Sequence, residues 1–333
     1  LPEEMIDGTI IEEARSDASS HSSFQREYCA QFTDGSDSYF SAKKMHDCTI
    51  PDGEEPSMRI IGQSGKEYVL GIDPSFSNSP TSDFFAMTVM ELDDETQHGT
   101  LVHCYAVAGG DLKDHINYLN YILTHFNIVL IVIDNAGYQF IDSANESEFF
   151  LQNNIDIKFF DLQPEKEGLD RQNMLKKAKL QYNLEDKKIC FKQVFSTDFI
   201  RKANERLQAD IDHKRIWFSS RTTANGPAFN KFSSRKVPVK MTNCQDVLEL
   251  IEVQDDMIYQ TKKQCALVEV KSTTKGIQTF DLPSHLKRST SVNRARKDNY
   301  TTLMLSNWAT RAYFDIIDLK EETAQNTFVP ILI

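Results

Sequence analysis

The sequence of 333 residues has no apolar run approaching the roughly 20 needed to cross a bilayer, and its first residues lack the basic and apolar regions of a secretory leader. A membrane partner is therefore not expected. The six cysteines, Cys29, Cys48, Cys104, Cys190, Cys244 and Cys265, show no C-x-x-C spacing and no companion His pair, which excludes a zinc site or disulfide frame and leaves reduced, buried thiols. None of the eight histidines has ligand spacing either. There is no G-x-x-x-x-G-K-[ST], so no P-loop lies in this chain, and there is no internal repeat. The chain begins at Leu1 and not at Met, and is read as a piece of a longer protein.

What is present is a core and an uneven charge. Hydrophobic residues make up 40%, enough for one large domain or two small ones. The net charge of -12 argues against a polyanionic partner until its distribution is read. Residues 66–170 hold 4 basic against 18 acidic side chains, whereas residues 171–240 hold 17 against 6. A basic middle inside an acidic chain suits a protein that lays one face along a phosphate backbone, although a solvated lysine-rich surface gives the same counts.

Residues 1–65 read as a connector, in which Phe24, Tyr28 and Phe32 recur at four-residue spacing and predict a short amphipathic helix over Ser23–Gln31. From Lys66 the pattern changes to strands. Tyr68–Ile72, Phe84–Leu92 and Thr100–Ala108 follow one another too closely for crossover helices, which predicts an antiparallel meander. A helix over Asp111–Phe126 leads into Ile128–Asp134, an unalternating apolar run expected of a central strand buried on both faces. A helix over Phe140–Asn153 and a strand over Ile157–Phe160 complete a βββαβαβ order, hence a mixed sheet with helices on both faces. Further on come helices Arg171–Leu184 and Thr197–Ala209, a strand Arg215–Phe218, a helix Asp246–Lys263, a hairpin of Cys265–Lys271 with Ile277–Leu282, and a last helix Asn299–Phe314.

Two of these strands end in acid. If the first and fourth are parallel neighbours, Asp73 and Asp134 stand side by side at the carboxyl edge, about 4.8 Å apart, in the crevice where open sheets bind ligands. Asp298 starts the last helix, where the macrodipole favours an anion, and Asp83 opens the second strand. A single Asp after a strand is ordinarily a turn or cap residue. A pair on adjacent strands repels itself unless a cation intervenes, and carboxylates with water suit Mg²⁺ or Mn²⁺. Two such ions support in-line phosphodiester hydrolysis without a side-chain nucleophile.

Leu70-Gly-Ile-Asp73-Pro, Asp83-Phe-Phe-Ala-Met, Ile131-Val-Ile-Asp134-Asn and Arg296-Lys-Asp298-Asn-Tyr-Thr-Thr-Leu together resemble the ribonuclease H-like nuclease domain of the large terminase subunit of tailed bacteriophages. The upstream Phe24-Gln-Arg-Glu27-Tyr28 is similar to the segment joining that family's packaging ATPase to its nuclease. The resemblance implies an α/β, ribonuclease H-like fold with an added β-hairpin, divided into a connector (1–65), a nuclease domain (66–320) and a tail (321–333). It implies a catalytic, metal-binding set of Asp73, Asp134 and Asp298 with Asp83 as an auxiliary acid, one or two Mg²⁺ or Mn²⁺ ions, and cleavage of concatemeric viral double-stranded DNA during genome packaging. Backbone contacts are expected from Arg171, Lys176, Lys177, Lys179, Lys231, Arg235, Lys236, Arg294, Arg296 and Lys297. The expected partners are double-stranded DNA, an ATPase domain outside this chain, the small terminase subunit and the portal, in the host cell cytoplasm. Many members carry paired acids before the last helix, whereas here Asp298 is followed by Asn299.

Two other readings start from the same residues. Actin-like ATPases and sugar kinases open on a related Gly-Ile-Asp strand, but need a glycine-rich turn for phosphate, and here the turn is Pro-Ser-Phe-Ser-Asn-Ser-Pro. A non-catalytic DNA-binding module accounts for the basic segment and leaves the acids idle.

Overall fold

A serine hydroxyl starts the first described helix: Ser41 accepts the Lys44 N–H and caps α1 (Ala42–Asp47), whose Met45 is buried against the main core. The structure, a computed structural model, describes residues 38–77, 79, 81–161, 188–220, 247–272, 278–287 and 295–326. The strands β1 (Tyr68–Asp73), β2 (Phe84–Asp93) and β3 (His98–Ala108) form the expected meander, followed by α2 (Leu112–His125) and β4 (Ile128–Asp134). Then come α3 (Tyr138–Asn145), α4 (Glu148–Asn153), β5 (Ile157–Asp161), β6 (Lys188–Gln193), α5 (Thr197–Asp212) and β7 (Ile216–Phe218). The last elements are α6 (Val247–Ala266), the hairpin β8 (Glu269–Ser272) and β9 (Gln278–Asp281), α7 (Ser284–Lys287) and α8 (Asp298–Asn326).

Seven strands form one mixed sheet in the order β5-β6-β4-β1-β2-β3-β7. Only β2 runs against its neighbours, so the other six strands all point their carboxyl ends the same way. Helices cover both faces, as expected from the strand and helix order. One face takes α2, through Tyr68 edge-on to Phe126 at 5.3 Å and Phe85 stacked on His115 at 4.2 Å. The other takes α8, whose Ser306 hydroxyl meets that of Thr88 at 3.0 Å. Gly71 of β1 is what lets this helix lie close, since a Cβ there would come within 2.5 Å of the Thr302 carbonyl oxygen and 2.7 Å of the Ser306 nitrogen.

Two expectations need correction. The single helix expected over Phe140–Asn153 is two, because Ser147 accepts the Phe150 N–H and caps a new start. Just before that break, Asn145 pairs both its amide groups with the backbone of Ile157, at 2.9 and 3.0 Å, turning the chain toward β5. The strand β6 was not foreseen: it slots between β4 and β5 from a stretch read only as basic. Its apolar residues are the three in a row Ile189, Cys190 and Phe191, flanked by lysines, and Lys188 satisfies its ammonium on the Ile128 carbonyl at 2.9 Å. The helices expected over Ser23–Gln31 and Arg171–Leu184 lie outside the described residues, as do Cys29 and Cys244. The other four cysteines are free and buried, and burial pushes the Cys48 thiol up to about 11 and that of Cys104 up to about 12.

His103 is a core residue, not a ligand. Its Nδ1 lies 2.7 Å from the Arg59 carbonyl oxygen and its Nε2 2.8 Å from the Tyr118 hydroxyl, and burial pushes its pKa down to about 4. Between that value and the ordinary 6.5 the unfolded chain binds a proton that the folded one refuses. Stability should therefore fall as pH drops from about 7 toward 4, by up to a few kcal/mol from this group alone. Urea unfolding at a series of pH values should show His103→Gln flattening that slope while lowering stability at neutral pH.

Candidate active site

Strand register brings the acids together. In the parallel pair of β1 and β4, Ile72 lies opposite Ile133, so the strand-ending Asp73 and Asp134 come next to each other at the carboxyl edge, as expected. Both are half-buried. Asp73 shares the sheet face of Gly71, two residues earlier, and hence the face that α8 covers. That helix begins at Asp298, which is buried and whose Oδ2 accepts the Phe84 N–H at 2.7 Å. A residue from the far end of the chain is thus pinned to the start of β2, beside the exposed Asp83.

The electrostatics record this grouping. Burial first, then the charges of Asp298 and Asp134, raise the Asp73 carboxyl well above the usual carboxylate range; Asp83 adds to this and Lys297 opposes it. Asp134 is raised by burial, against the pull of the Ala136 and Asn135 N–H groups. Its Oδ1 stands 3.4 Å from the Ala136 nitrogen. Asp73 feels the other carboxylates, yet among the described residues no three His, Cys, Asp or Glu side chains are close enough to hold a metal ion as they stand. The donor set is nonetheless all carboxylate oxygen, with no thiol or imidazole, which is the chemistry of a hard divalent cation. A cation there would reverse the repulsion that now raises Asp73, so the residues fit Mg²⁺ or Mn²⁺ by charge and ligand type.

The basic residues expected at the DNA divide differently. Arg171, Lys176, Lys177, Lys179, Lys231, Arg235, Lys236 and Arg294 lie outside the described residues. Lys297 pairs with Asp281 of the hairpin at 3.1 Å, tying β9 to the acids. Arg296 is buried; its Nε donates to the Ser82 carbonyl at 2.9 Å and its guanidinium lies 4.3 Å from the centre of the Phe84 ring. It braces the two residues on either side of Asp83. Arg296→Ala should lower stability by about 2–4 kcal/mol, from a charge-assisted hydrogen bond and a cation–π contact, while the salt slope of DNA binding stays unchanged. Chemical denaturation and salt titrations of DNA binding measure the two separately.

Three further residues at this rim were missed: Phe76, Tyr138 and Lys192. Phe76 follows Asp73 on one loop and Tyr138 follows Asp134 on the next, and both are exposed. The signal available in the sequence was an aromatic shortly after each acid. Lys192 had none, because β6 itself was not foreseen.

No protein-family profile matches the chain, and neither does any curated protein. Solved structures resemble it at low identity. The large terminase nuclease from thermophilic phage G20c with bound magnesium aligns over 82% of this chain and 98% of its own, at 11% identity and a TM-score of 0.43. The Thermus phage P74-26 large terminase nuclease domain aligns over 81% and 93%, at 11% identity and a TM-score of 0.42. The large terminase of bacteriophage HK97 aligns over 81% of this chain but 43% of its own, at 11% identity and a TM-score of 0.41.

Proposed function

We propose that this chain is a divalent-metal-dependent endonuclease that hydrolyses phosphodiester bonds of double-stranded DNA, acting as the nuclease part of a viral genome-packaging motor. The reading is carried by one observation: Asp73 and Asp134 end adjacent parallel strands, and Asp298 arrives at the same place on the first turn of α8, so that Asp73 feels the charge of the other two. One or two Mg²⁺ or Mn²⁺ ions, when bound, supply activation of water and stabilisation of the leaving oxygen. Asp73 and Asp134 are the residues that hold them. Asp298 closes the site from the α8 side, oriented by the Phe84 N–H, and Asp83 stands at its exposed margin as an auxiliary acid.

The chain's other chemistry supports this assignment. The four described cysteines are buried with thiols raised far above neutrality, which disqualifies them as nucleophiles. His103 and His115 are engaged with tyrosine hydroxyls in the core against α2, on the other side of the sheet from α8. The carboxylates at the carboxyl edge are therefore the groups whose position suits reaction.

The division into connector, nuclease domain and tail, an ATPase domain, the small subunit and portal as partners, and action in the host cytoplasm belong to the same proposal. The test is incubation with supercoiled plasmid and Mn²⁺. Relaxed and linear products that vanish on chelation are expected. Plasmid left intact would overturn the proposal, and plasmid that also fails to bind the protein would remove the non-catalytic DNA-binding reading with it.

A further inference from the structure

The acids occupy the α8 side of the carboxyl edge; the other side of that edge carries a different chemistry. Among the described residues six large apolar side chains are exposed, and two of them, Phe76 at 52% and Tyr138 at 42%, lie on the loops that directly follow the acid strands β1 and β4. The two loops touch. A Cβ on Gly137 would come within 2.3 Å of the Pro74 ring, so the residue before Tyr138 and the residue after Asp73 are already in contact. The Tyr138 ring is also steadied, since its hydroxyl accepts from the Gln139 amide at 3.3 Å.

A cation accompanies these rings. Lys192 of β6 is in register with Ile133, one residue before Asp134, and its ammonium lies 5.9 Å from the centre of the Tyr138 ring and 4.9 Å from that of Phe159. Exposed aromatic faces beside a lysine are the combination that holds an unstacked nucleic-acid strand: bases stack on the rings and a phosphate meets the ammonium. Fully paired B-form DNA offers its phosphates but not the faces of its bases.

Building on the nuclease reading, we infer that Phe76, Tyr138 and Lys192 form a binding site for unpaired nucleobases beside the acids, so that the substrate is duplex DNA opened or frayed at the cut. Tyr138 and Phe76 provide the stacking surfaces. Lys192 holds the adjoining phosphate. These are substrate-positioning residues, distinct from the carboxylates.

The experiment is binding of short duplexes by fluorescence anisotropy in EDTA, where nothing is cut, comparing a fully paired duplex with one carrying unpaired bases that include 2-aminopurine. The parent protein should prefer the unpaired substrate by roughly 5- to 30-fold and change the 2-aminopurine emission on binding. Tyr138→Ala and Phe76→Ala should each remove most of that preference, and Tyr138→Phe should keep it. Lys192→Gln should weaken binding to both duplexes alike and lower the salt slope by about 1. Both aromatic side chains are exposed, and unchanged thermal melting will show that the variants fold. A preference that persists in the Phe76→Ala, Tyr138→Ala double variant, or no preference in the parent, overturns the inference. The nuclease reading fails separately: plasmid left intact by the parent protein in Mn²⁺ would sink it while an aromatic-dependent preference in EDTA stood.

Discussion

Asp134→Ala is expected to cut supercoiled plasmid in Mn²⁺ on the order of 10³-fold more slowly than the parent, while folding at least as stably and binding DNA as tightly or more so. Charge stabilisation by a bound divalent ion contributes several kcal/mol to such a reaction, and each 1.36 kcal/mol is about tenfold in rate. The side chain ends a strand next to Asp73 and adds to its charge load. Its removal therefore takes away a ligand, a source of like-charge repulsion and a negative charge facing phosphate, all at once. A loss of activity with no loss of stability or affinity is the signature that separates a catalytic acid from a cap. Asp73→Ala should behave in the same way. Quantifying nicked and linear plasmid against time checks the rate, and cutting at the parental rate in either variant would place the centre elsewhere.

Gly71→Ala should damage the same centre from beneath. The added methyl would sit 2.5 Å from the Thr302 carbonyl oxygen and 2.7 Å from the Ser306 nitrogen, and both are helix backbone that cannot rotate away. Helix α8 must shift outward, costing roughly 1–3 kcal/mol or more. Because α8 begins at Asp298 and β1 ends at Asp73, the shift also parts two of the three acids. A misplacement of about 1 Å costs on the order of 10²-fold in rate. Gly99→Ala is the control: there the methyl would meet first the Met90 terminal carbon at 2.7 Å, the far end of a flexible side chain, and Asp298 lies at the other end of the helix. Melting temperature and cleavage rate should both drop for Gly71→Ala. For Gly99→Ala the rate should hold.

The meander, the central β4 and the pairing of Asp73 with Asp134 were legible because each rests on a local signal: connections too short for helices, an apolar run without alternation, and acids at strand ends. The order of β1 beside β4 follows from crossover geometry, which is why two acids far apart in sequence could be placed together in advance. What escaped notice depends on tertiary context. The strand β6 has lysines near both ends whose stems and ammonium groups are satisfied only by β4 and by the rings of Phe159 and Tyr138. Arg296 looks from its neighbours like one more phosphate ligand, and only the folded chain reveals Ser82 and Phe84 as its partners. The split between α3 and α4 hinges on Asn145 meeting Ile157, a contact made across the fold and not along the helix.

The link between Phe84 and Asp298 joins residues 214 positions apart, and α8 is the last described element of the chain. Synthesis proceeds from the amino end at about 5–20 residues per second, and a domain folds as a unit. A ribosome-bound chain thus carries Asp73 and Asp134 many seconds before Asp298 has been translated. On the proposed reading, a chain made in that order is born inert, and it becomes able to cut only once α8 has been made.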